Sequence, residues 1–209
     1  MSLYINLCTS LSPTQRVLKR TFDVIVSVVG LLLAWWIILI GYIIATLDTR
    51  QNGLFLQKRV GRHGKLFTAI KLRTMRAGPP NATTITASTD PRITRFGSFL
   101  RRTKIDELPQ LINILRGHMS FVGPRPDVPG YADRLQGEDR IILSVRPGIT
   151  GPATLKYRHE EELLAASDDP VRYNDEVIFP DKVRINREYV KNYSFLKDIE
   201  YILQTLTGK

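Results

Sequence analysis

The chain has 209 residues, enough for one compact domain with short appendages. Its 30 Lys and Arg residues against 20 Asp and Glu residues give a formal net charge of +10, which favours nucleic acid, acidic lipid headgroups or phosphorylated small molecules as partners. The single cysteine, Cys8, excludes an intrachain disulfide, and three scattered histidines argue against a Cys or His metal site.

A long uncharged segment lies near the N-terminus, where the 24 residues from Val24 to Leu47 carry no charged side chain. As a helix they would be about 36 Å long, enough to cross a hydrocarbon layer of about 30 Å. A buried core helix is the alternative, but a helix that is apolar on every face over this length favours a membrane. The sequence therefore predicts a tail or interfacial segment (residues 1–20), a membrane-embedded helix (21–50) and a globular domain (51–209).

The topology of the membrane helix is open between re-entry and a single span. Three basic residues lie between positions 16 and 20, and five lie between positions 50 and 65. Basic flanks tend to stay cytoplasmic, so this pattern favours a helix that enters the membrane and turns back. Re-entry normally needs a helix break. The segment has no proline, and only Gly30, Gly41 and the Trp35-Trp36 pair are candidate irregularities.

After the apolar segment, residues 54–60 and 65–74 predict two strands joined by a turn at Gly61-Arg62-His63-Gly64. Residues 77–91 predict a polar loop. From Arg92 onward, Ile93, Phe96 and Leu100 form an apolar stripe among basic residues, which fits a helix at a membrane interface or one packed on the domain core. The membrane segment in the same chain favours the interfacial interpretation.

A second helix is predicted around Leu108–Leu115, with Gly117 as its stop, and the C-terminal residues 183–206 are again predicted to be helical. Asp106 and Glu107 stand just before Pro109, which suits the first turn of a helix. Carboxylates at that position are explained by helix capping when they are considered alone. Adjacent helix residues do not share a face, so the two acids are expected to have different roles.

The surroundings of the two acids favour a catalytic interpretation over capping. Basic residues on both sides along the chain could bind a diphosphate and neutralise transition-state charge: Arg101, Arg102, Lys104, Arg125 and Arg146. Carboxylates next to a diphosphate normally need a divalent ion, and Mg²⁺ suits oxygen ligands. Acidic pair, basic patch and membrane segment together predict phosphoryl chemistry at a lipid surface.

The stretches DELPQL (106–111), GPRP (123–126) and RPGITG (146–151), at these spacings, resemble the bacterial sugar transferase family of monotopic polyprenyl-phosphate phosphoglycosyl transferases. The similarity extends from Lys19 to Leu206 in the family's order. It implies an α+β fold in which a re-entrant membrane helix, a small β-hairpin and amphipathic interfacial helices surround a compact helical catalytic domain. That domain would lie on the cytoplasmic face of a bacterial inner membrane.

The resemblance also implies a reaction and its residues. Asp106 would attack the sugar-linked phosphate of a UDP-sugar and release UMP, and polyprenyl phosphate would then take the phosphosugar from the enzyme. Glu107 would be the partner of Asp106, and both acids would contact Mg²⁺. Substrate- and phosphate-binding roles are implied for the residues that match family positions or lie in the basic patch: Lys71, Arg101, Arg125, Arg146, Arg158 and Asp198. Inner-leaflet lipid would be a further partner, and homodimerisation is left open.

Three positions depart from the family pattern. Trp35-Trp36 replaces a Ser-Pro pair at which the family's membrane helix commonly turns, His118 replaces an acid, and Asn186 replaces an acid found in some members. Two rival interpretations remain. A membrane-tethered nucleic-acid-binding protein is supported by charge alone, because stacking and groove-reading motifs are absent. An inactive scaffold of the same fold is opposed by the intact Asp106-Glu107 pair.

Overall fold

The structure, a computed structural model, describes residues 11–78 and 90–208. The first ten residues of the predicted tail and most of the predicted loop at 77–91 lie outside these ranges. The rest is a mixed α+β chain, as predicted, with one long N-terminal helix and two small two-stranded sheets.

Helix α1 (Pro13–Thr49) runs for 37 residues, about 55 Å. The side chain of Ser12 accepts a hydrogen bond from Gln15 N (3.2 Å), and Gln15 Oε1 accepts one from Ser12 N (2.8 Å), which is a capping box with Pro13 in the first turn. Arg50, in the left-handed region at φ 55°, ends the helix. Residues 13–20, predicted as part of a separate tail, therefore belong to the same helix as the apolar segment.

No break interrupts α1 at either glycine or at the tryptophan pair. Gly30 and Gly41 instead allow close packing, because a Cβ at Gly30 would lie 3.1 Å from Leu111 Cδ1 and a Cβ at Gly41 would lie 2.6 Å from Leu72 Cδ1. The most apolar 18-residue window has a mean hydropathy of 2.7 and is 11% buried, so α1 is long and apolar enough to cross a membrane. Length, composition and exposure suggest membrane association, and re-entry stays a prediction.

The predicted hairpin is confirmed. Strands β1 (Leu54–Val60) and β2 (Leu66–Leu72) are antiparallel, with Leu54 opposite Leu72 and Val60 opposite Leu66. The turn between them contains His63 at φ 60° and Gly64 at φ 77°. Phe67, Ala69 and Lys71 alternate along β2, so they share one face of the hairpin. Phe67 and Ala69 pack into a buried cluster on that face, which directs Lys71 toward the interior.

Two helices follow, joined by a single 3₁₀ turn. Helix α2 (Arg95–Thr103) begins at Thr94, whose side chain accepts from Gly97 N at 2.8 Å, and ends at Lys104, at φ 58°. The 3₁₀ turn spans Ile105–Glu107, and helix α3 (Gln110–Leu115) ends before Gly117, at φ 80°. Asp106 and Glu107 therefore lie in the turn rather than in the first turn of a longer helix.

The remaining elements enclose these helices. Strands β3 (Ser120–Val122) and β4 (Gly148–Thr150) pair in parallel. They are followed by the C-terminal helices α4 (Pro152–Lys156), α5 (Glu160–Ala165), α6 (Pro170–Tyr173), α7 (Phe179–Lys191) and α8 (Phe195–Thr207). The helix predicted at 183–206 is thus two helices, separated at Asn192–Ser194. Helices α4, α5 and α6 have no counterpart among the elements predicted from the sequence.

A buried ion pair joins α1 to α8. Lys19 Nζ lies 2.5 Å from Asp198 Oδ2, and the hydroxyl of Tyr189 donates to Asp198 Oδ1 at 2.7 Å. Further along α1, Asp23 Oδ1 accepts hydrogen bonds from Ser120 Oγ (3.0 Å) and Phe121 N (3.1 Å). These polar contacts fix the direction of α1 relative to β3 and the C-terminal helices.

Candidate active site

Asp106 carries a buried carboxylate whose Oδ1 atom has no hydrogen-bond partner among the described residues. Only 7% of the residue is exposed. Burial and then the neighbouring charge of Glu107 raise the pKa of Asp106 to about 6, against the opposing charges of Lys71, Lys104 and Arg101. A carboxylate that is buried, unpaired and still largely ionised at neutral pH is suited to act as a nucleophile.

Glu107 has the opposite environment. Its Oε1 accepts hydrogen bonds from Lys71 Nζ (2.8 Å) and Arg125 Nη2 (2.5 Å), and Arg125 Nη1 lies 3.5 Å from Oε2. Burial acts to raise the pKa of Glu107, but the charges of Arg125 and Lys71 and their hydrogen bonds hold that pKa well below its usual range. Glu107 is therefore a permanent anion that fixes two cations.

Neither acid caps a helix. Pro109 precedes α3 and has no side-chain cap bond, and the 3₁₀ turn begins at Lys104, likewise without one. None of the described hydrogen bonds joins a backbone N–H to the carboxylate of Asp106 or Glu107. The capping interpretation is therefore wrong for both residues.

The turn after β3 positions Arg125. Gly123 N donates to Thr150 O and Gly148 N donates to Pro124 O, both at 2.9 Å, which fixes the turn against β4. A Cβ at Gly123 would lie 2.5 Å from Arg146 O, so this close approach requires glycine. The prolines on both sides of Arg125 restrict its backbone. The charge of Glu107 is the main reason that the pKa of Arg125 is raised.

Arg101 lies beside the acids without bonding to them. Its charge is one of those that lower the pKa of Asp106. Its guanidinium donates to Glu161 on α5 and lies 3.7 Å from Met75 Sδ. An acid from α5 therefore holds Arg101 next to the site, and its role toward a substrate stays a prediction.

The other predicted binding residues make contacts elsewhere. Arg146 Nε donates to Gly117 O at 2.8 Å, and Arg158 donates to Gly208 O and, at 3.3 Å, to Gln204 O at the end of α8. Asp198 forms the buried pair with Lys19. None of the hydrogen bonds described for these three residues involves Asp106 or Glu107. Asp198 neutralises a buried lysine, and its predicted contact with substrate stays a prediction.

Two charged residues near the site were missed in the sequence. Arg59 Nη1 donates to Pro126 O at 3.0 Å, and burial, followed by the charge of Arg125, lowers the pKa of Arg59 to about 10. Burial raises the pKa of Asp127 to about 6, against the charges of Lys182 and Arg59. Arg59 pairs with Phe67 across the hairpin and so shares the face of Lys71. The strand register therefore could have identified Arg59.

The carboxylates of the site could hold a divalent ion only if substrate phosphate oxygens supplied further ligands. No group of three or more His, Cys, Asp or Glu side chains within residues 11–78 and 90–208 could hold a metal. Both oxygens of Glu107 face cations, whereas Oδ1 of Asp106 is uncommitted. Mg²⁺ is commonly bound by one or two carboxylates completed by phosphate oxygens and water, and Asp106 satisfies that requirement.

Comparison with known sequences gives one family. The sequence model of the family described as bacterial sugar transferase matches residues 14–208. That range contains every element of the structure except the first residue of α1.

Several curated proteins are similar over most of this chain. The undecaprenyl-phosphate galactose phosphotransferase of Salmonella typhimurium is 35% identical, over 92% of this chain and 40% of its own length. The UDP-glucose:undecaprenyl-phosphate glucose-1-phosphate transferase of Escherichia coli is 34% identical, over 95% of this chain and 41% of its own length. An exopolysaccharide production protein of Rhizobium leguminosarum is 34% identical, over 92% of this chain and 95% of its own length. The chain thus spans about two fifths of the first two relatives and nearly all of the third.

Proposed function

The chain belongs to the bacterial sugar transferase family, and from this we propose that it is a phosphoglycosyl transferase that moves a sugar 1-phosphate from a UDP-sugar to polyprenyl phosphate. The observation that carries the proposal is the asymmetry of the adjacent acids. Asp106 is buried and unpaired, whereas Glu107 is fixed by Lys71 and Arg125. One acid is free to react while its neighbour organises positive charge beside it.

The proposed reaction has two displacements at one phosphorus. A carboxylate oxygen of Asp106 attacks the phosphorus that carries the sugar, an acyl phosphate bond forms, and the anhydride bond breaks as UMP leaves with its electron pair. An oxygen of polyprenyl phosphate then attacks the same phosphorus and releases the Asp106 carboxylate. Covalent catalysis of this kind divides one difficult displacement into two easier ones. The pKa of Asp106, about 6, leaves the attacking group mostly ionised at pH 7.5.

The cations beside Glu107 have an electrostatic role in this proposal. Lys71 and Arg125 reach Glu107 from β2 and from the turn after β3, so their charges converge from two separate elements. Cations fixed in advance stabilise charge that develops on phosphate oxygens without reorganising during the reaction. Mg²⁺, held by Asp106 and the substrate, would add further neutralisation of the diphosphate and leaving group.

The activity test is UMP release. Purified full-length protein with Mg²⁺, undecaprenyl phosphate and a panel of UDP-sugars is expected to release UMP continuously with at least one sugar. Without undecaprenyl phosphate, the same sugar should give a single stoichiometric burst, because the phosphosugar stays on Asp106. Failure of every UDP-sugar would contradict the transferase proposal, and continuous UMP release without acceptor would contradict the lipid acceptor.

The contacts of α1 support a membrane position with both flanks on the cytoplasmic side. Arg20 donates to Ile114 O at 2.6 Å, Gly30 packs on Leu111, and Gly41 packs on Leu72. The two glycines are eleven positions apart in the sequence, which amounts to about 17 Å of helix. This is shorter than the roughly 30 Å of a hydrocarbon core. A simple span would draw the hairpin and α3 into the bilayer, whereas a helix with both flanks at the same face keeps the catalytic domain at the inner leaflet. Because α1 is unbroken in this structure, a turn back at Trp35-Trp36 would require the helix to bend there in the membrane.

Helix α2 supports the same interfacial placement. Phe99 is largely exposed and stacks with Phe96 at a ring-centroid distance of 6.2 Å. The exposed Arg95 and Arg102 lie on the same short helix. Exposed aromatic and basic side chains on one helix are typical of helices that lie at the headgroup level of a membrane.

Cysteine labelling tests the topology. In a Cys8→Ser background, Thr14→Cys before the apolar segment and Ser98→Cys after it are both expected to resist a membrane-impermeant maleimide in intact cells. Both should react after permeabilisation, because both flanks are proposed to be cytoplasmic. Both positions are exposed, so protection cannot come from burial in the protein. Labelling of one position in intact cells would establish a spanning helix instead.

A further inference from the structure

A second group of cations lies away from the acids, around a cleft at the N-terminal end of α1. Arg16 and Lys19 from α1, Arg62 from the hairpin turn and Arg146 before β4 line this cleft together with Asp23. Among the hydrogen bonds within residues 11–78 and 90–208, none joins these four cations to Asp106 or Glu107. The cleft is therefore separate from the site proposed for sugar transfer.

Backbone carbonyls hold three arginines around this region. Arg62 Nε donates to Ser144 O at 3.0 Å and Arg146 Nε donates to Gly117 O at 2.8 Å. Arg20 donates to Ile114 O at 2.6 Å and to Leu115 O at 2.8 Å. A carbonyl orients a guanidinium without neutralising its charge, and each guanidinium has five N–H donors. The terminal nitrogens of Arg62 and Arg146 therefore keep donors for a ligand.

The acids in and next to the cleft are already engaged. Asp23, in the cleft lining, accepts hydrogen bonds from Ser120 and Phe121, and Asp198, outside the lining, is paired with Lys19. Within the described residues, no acidic side chain forms an ion pair with Arg16, Arg62 or Arg146. Burial and then the charge of Arg16 lower the pKa of Arg62, and burial followed by the charges of Arg20 and Arg62 lowers that of Arg146. The arginines thus repel one another, and an anion between them would relieve that repulsion.

The position along α1 indicates the source of the anion. Arg16 stands eight residues before Val24, about 12 Å along the helix from the start of the uncharged segment. The headgroup layer is about 5–8 Å thick on each side of the hydrocarbon, so a tilted α1 would place Arg16 at or just outside that layer. Basic pockets beside membrane helices suit anionic headgroups. We propose that Arg16, Arg62 and Arg146 form a second anion site that binds the phosphate of an anionic lipid headgroup.

The test is a binding titration of the full-length protein in a nonionic detergent. Water-soluble dihexanoyl phosphatidylglycerol is added below its micelle concentration, and its affinity is obtained from the rise in melting temperature followed by circular dichroism. Dihexanoyl phosphatidylcholine, with the same tails and no net charge, and inorganic phosphate are the comparison ligands. We expect the melting temperature to rise and then level off as phosphatidylglycerol is added, and to rise much less with phosphatidylcholine or inorganic phosphate.

Three single variants and one control locate the binding. Arg62→Gln and Arg146→Gln are each expected to lower the affinity for phosphatidylglycerol about tenfold, which is the usual loss for one charge-assisted contact. Arg16→Gln should weaken it about threefold or more, and its side chain is exposed and unbonded in the described chain, so misfolding cannot explain the loss. Arg134→Gln removes the same charge from an exposed site outside the cleft and should change nothing.

Each other outcome overturns the proposal. Equal stabilisation by phosphatidylcholine would show a detergent-like effect of the tails, and equal, variant-sensitive stabilisation by inorganic phosphate would assign the cleft to a soluble anion. Unchanged affinity in all three cleft variants would remove the site altogether. No UDP-sugar is present in the titration, so its failure would be distinct from failure of the transferase proposal.

Discussion

Asp106→Asn is expected to abolish UMP release and, at the same time, to stabilise the folded chain. Loss of the proposed nucleophile should lower the rate by at least about 10³-fold. The stability gain follows from the pKa of Asp106, which folding raises from 3.8 to about 6 because the ionised form is buried beside Glu107. At neutral pH the folded state pays the free-energy cost of burying an ionised carboxylate, and the unfolded chain does not. Replacing the carboxylate by an uncharged amide should therefore raise the free energy of unfolding by roughly 1–3 kcal/mol.

The pH dependence of this gain is diagnostic. A raised folded pKa means that the penalty is absent below the unfolded value, grows as the pH rises from about 4 to 6, and is constant above. Denaturant unfolding at pH 7.5 should therefore find Asp106→Asn more stable than the wild type, with little difference at pH 4. Asp168→Asn, at an exposed position, is the control and should have no such effect. A less stable Asp106→Asn at pH 7.5 would mean that the ionised carboxylate stabilises the fold, and retained UMP release would contradict the nucleophile assignment.

The sequence predicted those parts of the fold that local patterns determine. The uncharged run from Val24 to Leu47 and the alternation on either side of Gly61-Arg62-His63-Gly64 each specify an element by themselves, and both elements are present. The break between α7 and α8 has no local signal from proline or glycine at Asn192–Ser194. The middle residue of the break, Tyr193, is instead buried in a hydrophobic cluster. Boundaries that depend on tertiary packing are poorly encoded in a single sequence.

In the candidate site, too, local sequence identifies the residues but not the contacts between them. Asp106 and Glu107 were identified from adjacent residues, but their different environments depend on contacts across 36 residues to Lys71 and 18 residues to Arg125. No local periodicity encodes such contacts. The family resemblance supplied both partners, whereas the basic-patch interpretation also grouped Arg146 with the acids, although Arg146 lies at the cleft beside α1. The order of motifs along a chain is a good guide to which residues belong to a site. It is a poorer guide to which of those residues are in contact.

Glu107→Gln is expected to have the opposite effect on stability from the change at its neighbour. The amide keeps the size of Glu107 but leaves Lys71 and Arg125 without their shared counter-charge, and the Glu107 side chain is only 8% exposed. Breaking a buried pair by removing one partner typically costs 3–5 kcal/mol. Because the Arg125 side chain is 39% exposed and can rehydrate, we expect a loss of roughly 2–4 kcal/mol. UMP release should fall as well, because the two cations lose the anion that positions them.

The pH profile and a second substitution separate this effect from general damage. The pKa of Glu107 is held below its usual 4.5, so its contribution is complete at neutral pH and is lost only as the pH falls well below that value. Unfolding curves should therefore show the full deficit of Glu107→Gln at pH 7.5 and a smaller one in acid. Lys71→Met in the Glu107→Gln background removes one uncompensated cation and should restore part of the stability, a coupling expected only for residues in contact.

The control is Glu176→Gln, which breaks an exposed pair with Arg172 and should cost less than about 1 kcal/mol. If Glu107→Gln cost no more than that control, Glu107 would not hold the cations. The stability of the site would then have to come from Lys71 and Arg125 packing independently of it.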